Sequence, residues 1–453
     1  ILNKIMLISE LPIIKNIISL FNLSSLISSK DTDELQLTLG ELMDNYIENC
    51  PLSFSSPNFH RDLDEYVITI IIQSIGHLYS DNELLSSEIS SIYNNVKKMY
   101  FTKDYPYRSY PKSFIRKPMN IEKMTKKINF IENKPQPDQR TNAWYEFRHN
   151  LITASSAWKA FKSQSTINQL VVEKCKPLDL TKYGGVNTST PMHHGNKYED
   201  VSIMFYEALY KTKVKDYGCI QHDKHTFLGA SPDGINVDPL SDRYGRMVEI
   251  KNPTTREITG IPKEDYWIQM QLQMETCDLN ECDFLETVFK EYDDEQSFMS
   301  DGSFVYNENK ELKGVIAYFM KNGKPLYEYM PLYNTEDEHN VWFDIMMEKH
   351  KGLTWVKNIY WRLQEYSCVL VLRNKYWFQS AVTEIEKVWK IIENEKHTGY
   401  GHRMSKKNTR PSRSNSIEES SQSNSCMIDV NNLQNQIIYI NTSFELVDIS
   451  GAS

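Results

Sequence analysis

The 453-residue chain lacks the marks of several protein classes. It has seven cysteines: Cys50, Cys175, Cys219, Cys277, Cys282, Cys368 and Cys426. An odd, scattered set is neither a disulfide framework nor a zinc site, and it fits a reducing compartment. Cys277 and Cys282 are the nearest pair, and no second pair or histidine follows them at ligand spacing. No stretch reaches the ~18 apolar residues of a membrane span. The most apolar run, 67–75, is broken by Thr69, Gln73 and Ser74. The N-terminal segment carries Glu10 and no small-residue cleavage site, so it does not read as a signal peptide. The net charge of −9 excludes a protein that coats nucleic acid with a basic surface throughout. It leaves a local DNA site open, because local charge decides binding. There is no internal repeat.

A chain of this length implies a main domain with additions, since domains run to roughly 100–200 residues. Residues 1–96 read as a helical region. Leu11, Ile14, Ile18 and Phe21 recur at helical spacing, as do Ile68, Ile71, Ile72 and Ile75. Residues 97–142 form a basic, aromatic-rich linker or DNA-contact segment. Within 97–127, ten Lys and Arg side chains face two acids, and Tyr100, Phe101, Tyr105, Tyr107, Tyr110 and Phe114 are interleaved. Cations neutralise phosphates and aromatic faces stack on bases, so this run suits nucleic acid; its prolines equally suit a solvated linker. Residues 143–397 mix strands and helices. Asn322-Gly323 between two apolar runs predicts a hairpin, and an amphipathic helix is expected over 377–395. Residues 398–426 have the composition of a disordered linker, and 427–453 form a tail.

The chemistry lies in the middle of the chain. Ser231-Pro232-Asp233-Gly234 follows a short apolar run, which places Asp233 on a turn just past a strand. Glu249 follows Asp233 after a gap of fifteen residues, and Met247-Val248-Glu249-Ile250-Lys251 alternates, so Glu249 and Lys251 share one face of a strand. Each feature alone is ordinary: a β-turn, and a charged strand face in solvent. Together they form a turn aspartate followed by Glu-x-Lys, the pattern of the PD-(D/E)xK nucleases. Hard cations prefer oxygen ligands. A bound cation lowers the pKa of water and polarises phosphate. A lysine offsets charge that builds on the phosphate. Glu199, in Gly195-Asn-Lys-Tyr-Glu199, falls in the first turns of a helix, away from its apolar stripe. Gln269 and Gln273 share a face of a later helix with Thr276.

In chain order, Gly195-x-x-Tyr-Glu199, Ser231-Pro-Asp-Gly234, Glu249-x-Lys251 and Tyr266-x-x-Gln269-x-Gln271 resemble the lambda-exonuclease family, including the YqaJ-type viral recombinases. The resemblance covers about 143–290. It implies an α/β fold: a PD-(D/E)xK restriction-endonuclease-like core with a mixed central sheet, helices on both sides and a helical N-terminal extension. Asp233 and Glu249–Lys251 are expected at one edge of the sheet. The resemblance makes Glu199, Asp233, Glu249 and the main-chain carbonyl of Ile250 metal ligands. It makes Asp233, Glu249, Lys251 and Gln269 the catalytic set. Upstream, Trp144-x-x-x-Arg148 followed by Ile152-Thr-Ala-Ser155 resembles the segment with which the family holds a 5′-terminal phosphate, through Arg148 and Ser155. A planar guanidinium and a hydroxyl suit such a dianion.

The expected activity is a metal-dependent 5′-to-3′ exonuclease on duplex DNA ends in viral recombination or repair. The expected cofactor is Mg²⁺, with Mn²⁺ as a substitute, as two ions. A single-strand-annealing protein is the expected partner. A trimer is implied, but the long stretch between Phe289 and Tyr333 and the N-terminal extension would obstruct it. The expected location is intracellular, in host cytoplasm or virion. The alternatives are a structure- or sequence-selective endonuclease on the same fold, and a non-catalytic DNA-end-binding or virion protein.

Overall fold

The computed structural model describes residues 26–404, apart from 80–81, 116–119, 181–187 and 189. The periodic run at Leu11–Phe21, residues Arg116 and Lys117, the linker from 405 onward and the tail lie outside the described residues.

The N-terminal region is a three-helix unit: α1 (Ser29–Asn49), α2 (Phe59–Ile75) and α3 (Asn82–Lys103). Ser28 caps α1 by accepting the Asp31 N–H. Leu35, Leu39, Met43 and Ile47 recur every four residues and bury one face of α1. They meet Leu63, Val67 and Ile71 of α2 and Leu85, Ile89 and Tyr93 of α3. Each such side chain contributes about 1.5–3 kcal/mol on burial. The same apolar cluster continues into the sheet domain.

The basic, aromatic run joins this core, which corrects part of its expected role in contacting DNA. Tyr100 and Phe101 are buried at the end of α3, and the Tyr100 hydroxyl donates to Asp44 at 2.5 Å. Buried Arg108 donates to the carbonyls of Ser55 (2.9 Å) and Pro262 (2.7 Å), tying the helical unit to the later domain. The Tyr110 N–H donates to the Leu370 carbonyl. The Tyr100 and Phe101 rings pack on protein and are not open to bases, whereas Tyr105, Tyr107 and Tyr110 are half-buried and Phe114 is exposed. Lys123 and Lys126, on α4 (Ile121–Glu132), remain exposed.

Next come α5 (Asn142–His149), β1 (Ile152–Thr153), α6 (Ala154–Ala157), α7 (Gln164–Cys175) and α8 (Pro191–Tyr210). The strands β2 (Val214–Lys215), β3 (Ile220–Gln221), β4 (Leu228–Ala230), β5 (Gly234–Asn236) and β6 (Met247–Lys251) lead to α9 (Glu264–Cys277). Strand β7 (Glu281–Glu291), α10 (Glu295–Ser300), β8 (Lys313–Lys321), β9 (Lys324–Tyr329), α11 (Glu336–Lys349), β10 (Thr354–Leu372) and α12 (Lys375–Thr398) complete the order. The main sheet has seven strands in the order β2-β5-β6-β7-β10-β8-β9. Strands β6 and β7 pair in parallel and the other neighbours are antiparallel, so the sheet is mixed, as expected. A smaller sheet has the order β1-β4-β3. The expected hairpin is β8–β9, with Lys321 opposite Lys324. Asn322 and Gly323 both have positive φ, the conformation that two-residue hairpin turns require.

One expectation fails: β6 is not at an edge. It lies between β5 and β7, and Met247 to Ile250 are all buried. Two-residue alternation then sorts its side chains. Val248 and Ile250 pack with Tyr206 of α8, while Met247 packs with the cluster that holds Trp267 and Met270 of α9. Glu249 and Lys251 therefore share the α9 face. No helix among the described residues is long and apolar enough to cross a membrane.

Candidate active site

Strand β6 ends in Lys251 beneath a cavity of about 550 Å³. Glu199, Asp233, Ile250 and Lys251 line it, with Asn196, Arg256 and Tyr266. Each reaches the cavity from a different element. Glu199 comes from the middle of α8, whose start is set by Pro191 and the Thr190 cap. Asp233 sits between β4 and β5, where the chain passes from the small sheet to the large one. Its carboxylate accepts the Ile250 N–H at 2.8 Å, which locks the turn onto β6. Glu249 is fully buried and faces α9.

The carboxylates are held by cations and amides. Lys251 Nζ donates to Glu249 Oε1. Gln273 Nε2 donates to Glu249 Oε2 at 2.7 Å. Arg140 Nη2 donates to Glu199 Oε2 at 2.7 Å. Burial and then the charge of Asp233 push both Glu199 and Glu249 well above the usual carboxylate range. Burial would lower the Lys251 ammonium, but Glu249 and Asp233 outweigh it and raise its pKa.

In this arrangement no group of three His, Cys, Asp or Glu side chains among the described residues stands close enough to hold a metal ion. Glu199 faces Arg140, and Glu249 faces Lys251. The donor set nonetheless fits a hard divalent cation. It is all oxygen, and after burial the charge of Asp233 disfavours the anionic form of Glu199 and of Glu249, a repulsion that a cation relieves.

A second cavity, of about 740 Å³, adjoins the first through Met192 and Asn196. Arg140, Arg148, Ser155, Lys159, Lys174 and Lys176 line it. The Arg148 guanidinium lies 4.2 Å from the Trp144 ring centroid and donates to Ser155 Oγ at 3.0 Å and Ser231 Oγ at 3.3 Å. The Trp144 indole N–H donates to the same Ser231 hydroxyl at 3.2 Å. Trp144, Arg148, Ser155 and Ser231 thus form one polar cluster.

The structure brings Glu199, Asp233, Ile250 and Lys251 to one cavity, with Glu249 bonded to Lys251 but outside the cavity lining, and places Arg148 and Ser155 on the neighbouring cavity. Gln269 stands apart from Glu249: it is half-buried on α9, and the amide that reaches Glu249 is Gln273, one turn later. The shared helical face carried that signal, because residues four apart occupy the same side. Sequence reasoning quoted Ser231 only as part of the Asp233 turn and gave it no role, and it missed Arg140, which no spacing marked. His193 bonds the Tyr327 hydroxyl at 2.7 Å, and His194 packs on Tyr198, so neither faces the second cavity.

A mixed sheet, a turn carboxylate and a Glu-x-Lys strand meeting a helix amide define the class: an α/β core with a carboxylate-and-lysine cavity. Residues 143–280 match the family model of the YqaJ-like viral recombinase domain. Over 323 residues the chain is 29% identical to an uncharacterized protein of Acanthamoeba polyphaga mimivirus, covering 62% of this chain. It spans 57% of that relative's length. Among solved structures, an alkaline exonuclease from Laribacter hongkongensis aligns with a TM-score of 0.34 and 19% identity, over 57% of this chain and 95% of that one. Its complex with dAMP aligns equally.

Proposed function

We propose that this chain is a divalent-metal-dependent deoxyribonuclease that digests duplex ends from 5′ to 3′ and recognises a terminal 5′-phosphate. One observation carries the reading: a cavity lined by Glu199, Asp233 and Lys251 adjoins a basic cavity that holds Arg148 and Ser155. Glu199, Asp233, Glu249 and the Ile250 carbonyl would hold Mg²⁺ or Mn²⁺, as two ions. A bound cation supplies an acidified water and polarises the scissile phosphate. Lys251 places a positive charge where charge develops on that phosphate. Gln273 orients Glu249. Arg148 and Ser155 grip the end, which sets the distance from the terminus to the carboxylates. The biological setting that fits is viral recombination or repair, in which digestion leaves a single strand for an annealing protein.

The test is digestion of linear 5′-phosphorylated, linear dephosphorylated and circular duplexes, with Mg²⁺ or with EDTA. The proposal expects mononucleotide release from the first substrate, slower release from the second, none from the circle and none in EDTA. Cleavage of the circle would favour an endonuclease on the same core. Binding to ends without cleavage would favour a non-catalytic end-binding protein.

A further inference from the structure

Lys174 is a charged group of the basic cavity that the proposed mechanism leaves without a role. It lies in the last turn of α7 and is 4% exposed. A buried ammonium is costly unless it is paired and hydrogen-bonded. Nζ of Lys174 donates to the main-chain carbonyl of Arg148 at 2.8 Å. The Glu173 carboxylate stands 4.0 Å away and bonds instead to Lys159 at 2.8 Å. An ammonium has three donors, and among the described residues these contacts engage one of them at hydrogen-bond distance. Burial pushes Lys174 down to about 8, against the pull of Glu173. This positive charge is under-compensated beside a cavity whose other walls carry Arg148 and Ser155.

We infer that Lys174 is a second ligand of the terminal 5′-phosphate, acting with Arg148 to select phosphorylated ends. The inference rests on the reading of this cavity as the phosphate site. Charge matching supports it. A terminal phosphate monoester carries about −1.5 to −2 at pH 7, more than the single charge of an internal diester, so two cations discriminate better than one. By holding the Arg148 carbonyl, Lys174 also fixes the backbone that carries the guanidinium.

The experiment measures binding of one short duplex, 5′-phosphorylated or 5′-hydroxyl, to full-length protein in Ca²⁺, which is used to prevent turnover. Wild type, Lys174→Met and Lys174→Arg are compared. The inference expects wild type to prefer the phosphorylated duplex. It expects Lys174→Met to lose about tenfold of that preference through the phosphorylated duplex alone, the scale of a lost charge-assisted hydrogen bond. Lys174→Arg should keep most of it. An unchanged preference, or equal weakening on both duplexes, overturns the inference while the phosphate reading stands. Absence of any preference in wild type removes the reading itself. Lysine acetylation of wild type followed by mass spectrometry requires no variant to fold. Lys174 should be protected by the phosphorylated duplex and not by the hydroxyl one, and equal labelling in both contradicts the inference.

Discussion

The two neighbouring cavities meet at Met192 and Asn196 and differ in electrostatics: the first mixes carboxylates with cations, and the second is predominantly cationic. Around the first, the half-buried Glu199 and Asp233 and the buried Glu249 disfavour one another's charge, which Arg140 and Lys251 offset. In the second, Arg148, Lys159, Lys174 and Lys176 crowd around serine hydroxyls, with Glu173 and Asp179 at the margin. On the proposed reading the first takes a cation and the second an anion. On that reading a terminal nucleotide presents its phosphate to one and its scissile bond to the other, and the shared wall sets the distance between them. The difference also separates two kinds of failure. Damage to the acidic side should stop chemistry and spare binding. Damage to the basic side should blur the choice of end and spare chemistry.

The largest effect is expected on the acidic side. Asp233→Asn or Lys251→Ala should reduce cleavage by at least about 10²-fold, the scale of losing a preorganised charge at a reacting phosphate, with duplex affinity retained. Normal digestion by either variant would show that the cavity is not catalytic. On the basic side, Arg148→Ala should cost about tenfold or more in preference for phosphorylated ends, since a bidentate charge-assisted contact is lost. Equal loss on hydroxyl ends would reduce Arg148 to a backbone contact.

A smaller effect sharpens the assignment of the helix amide. Gln273→Leu leaves a buried Glu249 oxygen without its donor, so it should destabilise the fold by about 1–3 kcal/mol and slow cleavage. Gln269→Leu should do less of both, as urea unfolding and rate measurements would show. The reverse order would restore Gln269 as the working amide. Smallest in its effect on activity is Arg108→Met. It should lower stability by about 1–3 kcal/mol, because the Ser55 and Pro262 carbonyls lose their donor. The rate on DNA should stay unchanged below the unfolding transition. A selective fall in DNA affinity would return Arg108 to the nucleic-acid surface.

These ranks follow what was legible in the sequence. Asp233, Glu249 and Lys251 were readable because strand alternation and a turn fix them locally. The β8–β9 hairpin was readable because Asn322-Gly323 supplies two positive φ values. The long helix α12 was readable from its apolar period, and spans Lys375–Thr398. The groups that pairing creates at long range were not legible. Gln273 meets Glu249 because α9 packs across β6, Ser231 meets Arg148 across 83 residues of chain, and Arg140 meets Glu199 across 59. Composition misled at Arg108, Tyr100 and Phe101, where a basic, aromatic run joins two parts of one core. A charge run does not reveal which of its members find buried carbonyls.

The central claim is that Glu199, Asp233 and Glu249 share a divalent cation. Titration of DNA-free protein with Mn²⁺, followed by the electron paramagnetic resonance of the free ion, tests this directly. The account predicts saturable uptake by wild type and loss of that uptake in Asp233→Asn. Equal uptake by the two proteins, or none by wild type, would contradict it.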